Sequence, residues 1–260
     1  MNYRGFPMTT VKYKKNFLTN VICKIDFDPE LSIKNEPPSK FQEKIKKDFP
    51  HLVENELNEY KTSFSKNENV IESFRAPLYV FKDSKTKAVK VINLSYKYLI
   101  IEFFQYKSFE EFVECVRNVI DVFSELYEIS EFSRLGLRYI NEIKINKGNP
   151  FDWTNLINSS LINATNDFFY NDRSNICRAI SQIILDYDHF KMNFNYGLYN
   201  SEFPNKISRK DFVLDYDCYT ANIEKKDSYE YLNKFHEKIN EEFEKSIEEG
   251  LRKEMEGENE

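Results

Sequence analysis

Apolar residues along this chain recur with two periods. Over 17–28, FLTNVICKIDFD, the residues Val21, Cys23, Ile25 and Phe27 alternate with polar or smaller neighbours, the two-residue period of a half-buried strand. Pro29 and then Pro37-Pro38 interrupt it. Ser39 can cap a short helix in which Phe41, Ile45 and Phe49 recur every four residues, and Pro50 ends it. Residues 53–73 are polar and irregular and are expected to form a mobile excursion. Strands are predicted over 77–82, 88–94 and 99–104, and their short links imply an antiparallel meander. Ser108 then opens a long helix whose stripe is Phe109, Phe112, Val116, Val119, Phe123 and Leu126, with Glu110 and Glu111 in its first turn, where they complement the helix dipole.

The cleanest strand follows at 134–145, RLGLRYINEIKI. Its odd positions, Leu135, Leu137, Tyr139, Asn141, Ile143 and Ile145, form a core face broken only by Asn141, and its even positions are mostly polar. A helix is predicted over about 151–165. Strands follow over 177–185, 189–195, 211–214 and 218–223. A last amphipathic helix carries Tyr229, Leu232, Phe235, Ile239, Phe243, Ile247 and Leu251.

The chain also resembles itself at an offset of 120 residues. Ile92–Tyr96 lies over Phe212–Tyr216, Ser108-Phe109-Glu110 over Ser228-Tyr229-Glu230, and Phe123 over Phe243. The expected fold is therefore α+β, mainly antiparallel sheet packed with long amphipathic helices. It is read as two pseudo-repeated β-α-β-β-(β)-α halves at 15–128 and 134–250. Whether the halves share one sheet is open, and the first half with strand 134–145 also spells a ferredoxin-like order.

Composition narrows the function classes. The 260 residues are 41% hydrophobic and 31% charged, enough for one large domain or two half-sized ones. No apolar run approaches the roughly 20 residues needed to span a bilayer, and the first residues do not read as a secretory signal. The four cysteines, at 23, 115, 177 and 218, make no CxxC pair, which points to a reducing cytoplasm. The six glycines cannot build a GxGxxG or a P-loop, and no motif implies a cofactor. Net charge is −6, and the last twenty residues hold nine glutamates against three basic residues, so 251–260 reads as an acidic, frayed tail.

Arg134 and Arg138 share the polar face of the best strand, with Gly136 between them. Two guanidiniums flanking a gap could clamp a phosphate or carboxylate, and a glycine lets a ligand approach the sheet. The structural alternative is that each pairs with an acid such as Asp186 or Asp215. Asn141, in register with the core face, either ties down a strand or contacts a ligand. Asp186, Asp188 and His189, with Asp215 and Asp217, are the one grouping that suggests a metal or acid–base site. Their surroundings break the strand alternation, so turns account for them better. His236 is expected on the flank of the last helix, and Tyr106 is among the aromatics to inspect for exposure.

Several segments occur in a distinctive order. These are Val21–Ile25, Phe49-Pro50, Leu94-Ser95 with Tyr98-Leu99, Tyr106 with Ser108-Phe109-Glu110 and Phe112, and the strand Arg134-Leu-Gly-Leu-Arg-Tyr-Ile-Asn141. A late Leu-Asp-x-Asp, present at both 185–188 and 214–217, completes the set. Together they resemble a sporadically distributed family of uncharacterised bacterial and archaeal proteins. The resemblance implies no activity that can be carried over. Its sporadic distribution is similar to that of defence or toxin–antitoxin cargo. The expected function is thus a cytoplasmic binding or interaction protein, recognising a protein partner or an anionic ligand at Arg134, Gly136, Arg138 and Asn141. A homo-oligomer is expected, nucleic acid or nucleotide remains open as a ligand, and no membrane is involved. The alternative is a nucleic-acid- or nucleotide-processing enzyme using the arginine pair and the aspartates.

Overall fold

The computed structural model describes residues 13–64, 69–162 and 173–257. Nine strands form one sheet in which every neighbouring pair is antiparallel. They are β1 (Leu18–Asp26), β2 (His51–Phe64), β3 (Asn69–Lys82), β4 (Lys90–Leu94), β5 (Tyr98–Phe103), β6 (Glu131–Ile145), β7 (Ala179–Asp186), β8 (Lys191–Leu198) and β9 (Lys210–Glu224). Their order across the sheet is β2-β3-β4-β5-β1-β6-β9-β8-β7. Outward from the central β1–β6 pair, one side runs β5, β4, β3 and the other β9, β8, β7.

The helices are α1 (Leu31–Asn35), α2 (Ser39–Ile45), α3 (Phe109–Tyr127), α4 (Ser228–Ser246) and α5 (Glu249–Glu256). The alternation that predicted the strands decides where they lie. Val21, Cys23 and Ile25 of β1, Leu135, Leu137 and Tyr139 of β6, and Leu214, Tyr216 and Cys218 of β9 share one buried face. The buried stripe of α3 (Phe112, Val116, Val119, Ile120, Phe123) and that of α4 (Leu232, Phe235, Ile239) complete this core. Phe123 anchors α2 and β1 together through Phe41 (6.1 Å between ring centroids) and Phe27 (4.9 Å). The Ser108 hydroxyl accepts from the Glu111 N–H (3.2 Å), the cap that starts α3 where its sequence predicts.

Elsewhere the structure departs from the expectations. Most of the excursion expected over 53–73 is β2 and β3, a long hairpin. At the sheet edge Val53, Glu54, Asn55 and Glu56 are all exposed, so no core face imposes the alternation that reveals a strand. No helix covers 151–158. Trp153 is buried with its indole N–H donating to the Pro150 carbonyl (2.9 Å), and Ile157 makes a bridge to Ile247. The remainder of that expected helix reaches beyond Ile162, outside the described residues.

The two strands expected at 211–214 and 218–223 are one strand, β9, because Asp215 and Asp217 bond laterally to β6 instead of turning the chain. The gapless 120-residue offset consequently sets the β4 strand end and turn at Ile92–Tyr96 against the middle of β9.

The last helix breaks at Ile247, whose backbone is extended. Gly250 sits where a Cβ would lie 2.5 Å from the Asn155 carbonyl oxygen. The expected frayed tail is instead α5 as far as Glu256. Leu251 and Met255 are buried, and the Lys15 N–H donates to the Met255 carbonyl (2.9 Å). Residues 258–260 lie outside the described residues. Deleting residues 252–260 is therefore expected to lower unfolding free energy by about 2–5 kcal/mol, the usual cost of truncating a buried methionine. Chemical denaturation checks this, with an unchanged midpoint as the contrary result.

Candidate functional site on the helix-free face

The even positions of β6 and their neighbours across the sheet point away from the helices. Among the described residues no helix packs on this face. Two cross-strand rows define its centre. One runs Glu102, Ile22, Arg138, Asp217, Asn193, Ile184, and the next runs Ile100, Lys24, Gly136, Tyr219, Lys191, Asp186. Five strands thus bring the sequence candidates of β6 and β9 together.

Both arginines reach diagonally, one pair along the ladder. Arg138 lies opposite Asp217 but donates through Nε and Nη2 to the two oxygens of Asp215, each at 2.7 Å. This bidentate pair holds the Arg138 guanidinium charged, its pKa raised by the Asp215 bond against the opposing effect of burial. Asp215 is buried and also accepts from Asn195 (3.2 Å), whose carbonyl oxygen accepts from Gln182 (3.0 Å). Arg134 lies opposite Ala221 and crosses to Asp217 (3.0 Å), its guanidinium over the Tyr219 ring at 4.7 Å. Burial pushes the Asp217 carboxyl up, and the two arginines oppose that shift.

Gly136 has a different role from the expected one. A Cβ there would stand 2.7 Å from Arg134 Nη1, so the glycine opens no gap for a ligand. It provides the path along which Arg134 reaches Asp217. Asn141 is buried and donates to the Leu214 carbonyl (3.3 Å), tying β6 to β9. The expected aspartate cluster does not converge. Asp186 bonds Lys191 (2.5 Å), and its Oδ1 accepts from the Asp188 N–H (3.1 Å) in the β7–β8 turn. The His189 N–H donates to the Tyr187 carbonyl (2.7 Å) in the same turn. Among the described residues no group of histidine, cysteine and carboxylate side chains could hold a metal.

On the opposite face sequence reasoning missed a buried polar chain. His236 does not sit on the helix flank. Its ring stacks on Phe109 at 3.9 Å between centroids. With the Asn240 amide donating to Nε2 (3.1 Å), the imidazole proton lies on Nδ1 and is donated to the Tyr139 hydroxyl (2.8 Å). That hydroxyl in turn faces the Tyr106 hydroxyl at 3.5 Å. Burial pushes the histidine down to about 4, with Glu110 opposing, and pushes Tyr106 up to about 12. The only sequence signal was Tyr139 on the core face of its strand, since His236 and Tyr106 stand in unrelated segments.

Compared with protein-family models, with curated proteins and with solved structures, the chain matches none.

Two expectations follow from this geometry. Replacing Arg138 by Ala leaves the buried Asp215 carboxylate without its main partner. Because the arginine is itself 43% exposed, the loss is expected near 1–2 kcal/mol rather than the larger cost of a fully buried pair. A double-mutant cycle with Asp215→Ala measures the coupling. For His236, the folded-state pKa lies below the unfolded value of 6.5. The neutral ring's contribution is therefore complete above that value and is lost as pH falls from 6.5 towards about 4, amounting to roughly 3 kcal/mol. Denaturation at stepped pH should show this slope in the unmodified chain and a flatter one in His236→Gln.

Proposed function

We propose that this chain is a binding or interaction protein that recognises a protein partner through the helix-free face of its sheet. The observation that supports this reading is charge pairing across that face. Arg138 with Asp215, Arg134 with Asp217, and Lys24 with Asp26 (2.8 Å) are each neutralised in place. A surface of paired charges around the half-buried Ile22, Ile100 and Ile140 has little field to attract a polyanion, but it matches a mixed polar and apolar protein surface. The anionic-ligand and nucleic-acid-processing readings both need guanidiniums or carboxylates that are free to engage, and these are already bonded to each other.

The two halves, 15–128 and 134–250, we read as related units, supported by the shared order outward from β1 and β6 and by α3 and α4 following the strands next to the centre. A role in a prokaryotic defence or toxin–antitoxin system, in the cytoplasm, rests on the family resemblance of the sequence.

Lys24→Glu leaves its neighbours folded and places a like charge beside Asp26. Affinity purification from the native host should recover a partner with the unmodified chain and lose it with Lys24→Glu, and the complex should re-form from purified components. Steeply salt-dependent binding of single-stranded nucleic acid, or nucleotide turnover abolished by Asp217→Asn, would favour the enzyme instead.

A further inference from the structure

The two edges of the sheet are unlike. β2 exposes Glu54, Asn55 and Glu56, charged and polar side chains that discourage pairing with another chain. β7, at the other edge, has the sequence AISQIILD, with no lysine or proline, and exposes Ile180 (43%), Ile183 (40%) and Ile184 (61%). It pairs with β8 on one side and is last in the sheet order. The hairpin fixes which backbone groups face outward. The Tyr187 N–H donates to the Phe190 carbonyl (2.9 Å), so by antiparallel alternation the odd residues bond β8. Ile180, Gln182, Ile184 and Asp186 then turn their N–H and C=O groups to the free edge.

We propose that β7 is a homodimerisation edge, pairing antiparallel with β7 of a second copy about a two-fold axis through Gln182. The sequence is self-complementary in that register. Ile180 meets Ile184 of the other copy, Gln182 meets Gln182, and Arg178 meets Asp186, each twice by symmetry except the central pair. All these side chains lie on the helix-free face. Displacing the register by one residue in either direction sets Asp186 against Ile180 or Arg178 against Ile184, burying a charge against an apolar partner. The register through Gln182 satisfies the outward N–H and C=O groups of Ile180, Gln182 and Ile184 in both copies. It continues one sheet through eighteen strands, twice the nine of one chain, and sets the two helix-free faces side by side on the same surface. This proposal stands independently of the partner-binding reading of that face.

Light scattering after size exclusion should give twice the 31.2 kDa chain mass for the unmodified protein. Gln182→Pro removes one outward N–H without touching the β8 ladder, as an edge strand tolerates. It should yield a monomer with an unchanged melting temperature. Asp186→Arg, at an exposed side chain, sets arginine against Arg178 and should raise the dimer dissociation constant at least tenfold. Adding Arg178→Asp to Asp186→Arg should restore the dimer. In a Cys177→Ser background, mild oxidation should cross-link Gln182→Cys between copies far faster than Ser181→Cys. A monomer at every concentration for the unmodified chain overturns the proposal. So does a dimer that survives both Gln182→Pro and Asp186→Arg, or cross-linking equal at 181 and 182. Should Gln182→Pro fail to fold, Asp186→Arg and the cysteine pair decide the matter alone.

Discussion

The antiparallel pairing of β1 with β6 is the constraint on which this molecule depends. The two strands come from the two ends of the long first segment of chain, and their ladder, from Leu18–Asn141 to Asp26–Arg134, joins what would otherwise be separate sheets. Val21, Cys23 and Ile25 have no exposed surface, so a slip of one residue would turn the whole apolar set of β1 towards solvent. The helices follow from this. With β1 and β6 side by side, α3 and α4 both lie across the centre of one face, and the Tyr229 hydroxyl of α4 reaches Asp121 of α3 at 3.1 Å.

Because all the described helices share that face, the other is left to the sheet's own side chains. An uncovered face of this breadth is kept in water by charge, and here the charges are arranged in diagonal arginine–aspartate pairs across the β6–β9 ladder. Such pairs give less net stability than their number suggests, since partial exposure weakens each one. Their larger effect is on register and specificity. The bidentate Arg138–Asp215 geometry accepts one alignment of β6 on β9, and Gly136 is part of the same device because only an absent side chain lets Arg134 lie flat to Asp217. The same face then offers a partner neutral, pre-ordered polar groups.

Much of the fold was legible where one face of an element is buried and the other is not. β1, β6 and α3 lie within a few residues of their predicted positions because burial on one side imposes periods of 2 or 3.6 on the sequence. The hairpin β2–β3 was not legible, since an edge strand exposed on both faces carries no such period. The single strand β9 was misread as two because Asp-x-Asp is turn chemistry locally. Its acids become strand residues only when β6 supplies guanidiniums from 77 and 83 residues away in the sequence. The tail was misread on composition, because its nine glutamates outweigh Leu251 and Met255, the two side chains that dock it.

By itself the sequence determined the class of the fold, the core faces of its central elements and the pair of arginines that would share one surface. Those are properties of spacing along one strand or helix, and spacing is local. The tertiary structure alone decided what the arginines do, since their partners lie on another strand. It also decided that Gly136 serves Arg134 rather than a ligand, and that Tyr106, Tyr139 and His236 meet in one buried chain. The physical reason is the same in each case. A polar side chain's role is set by the partner that satisfies it, and that partner is chosen by the order of strands in the sheet, which no periodicity records.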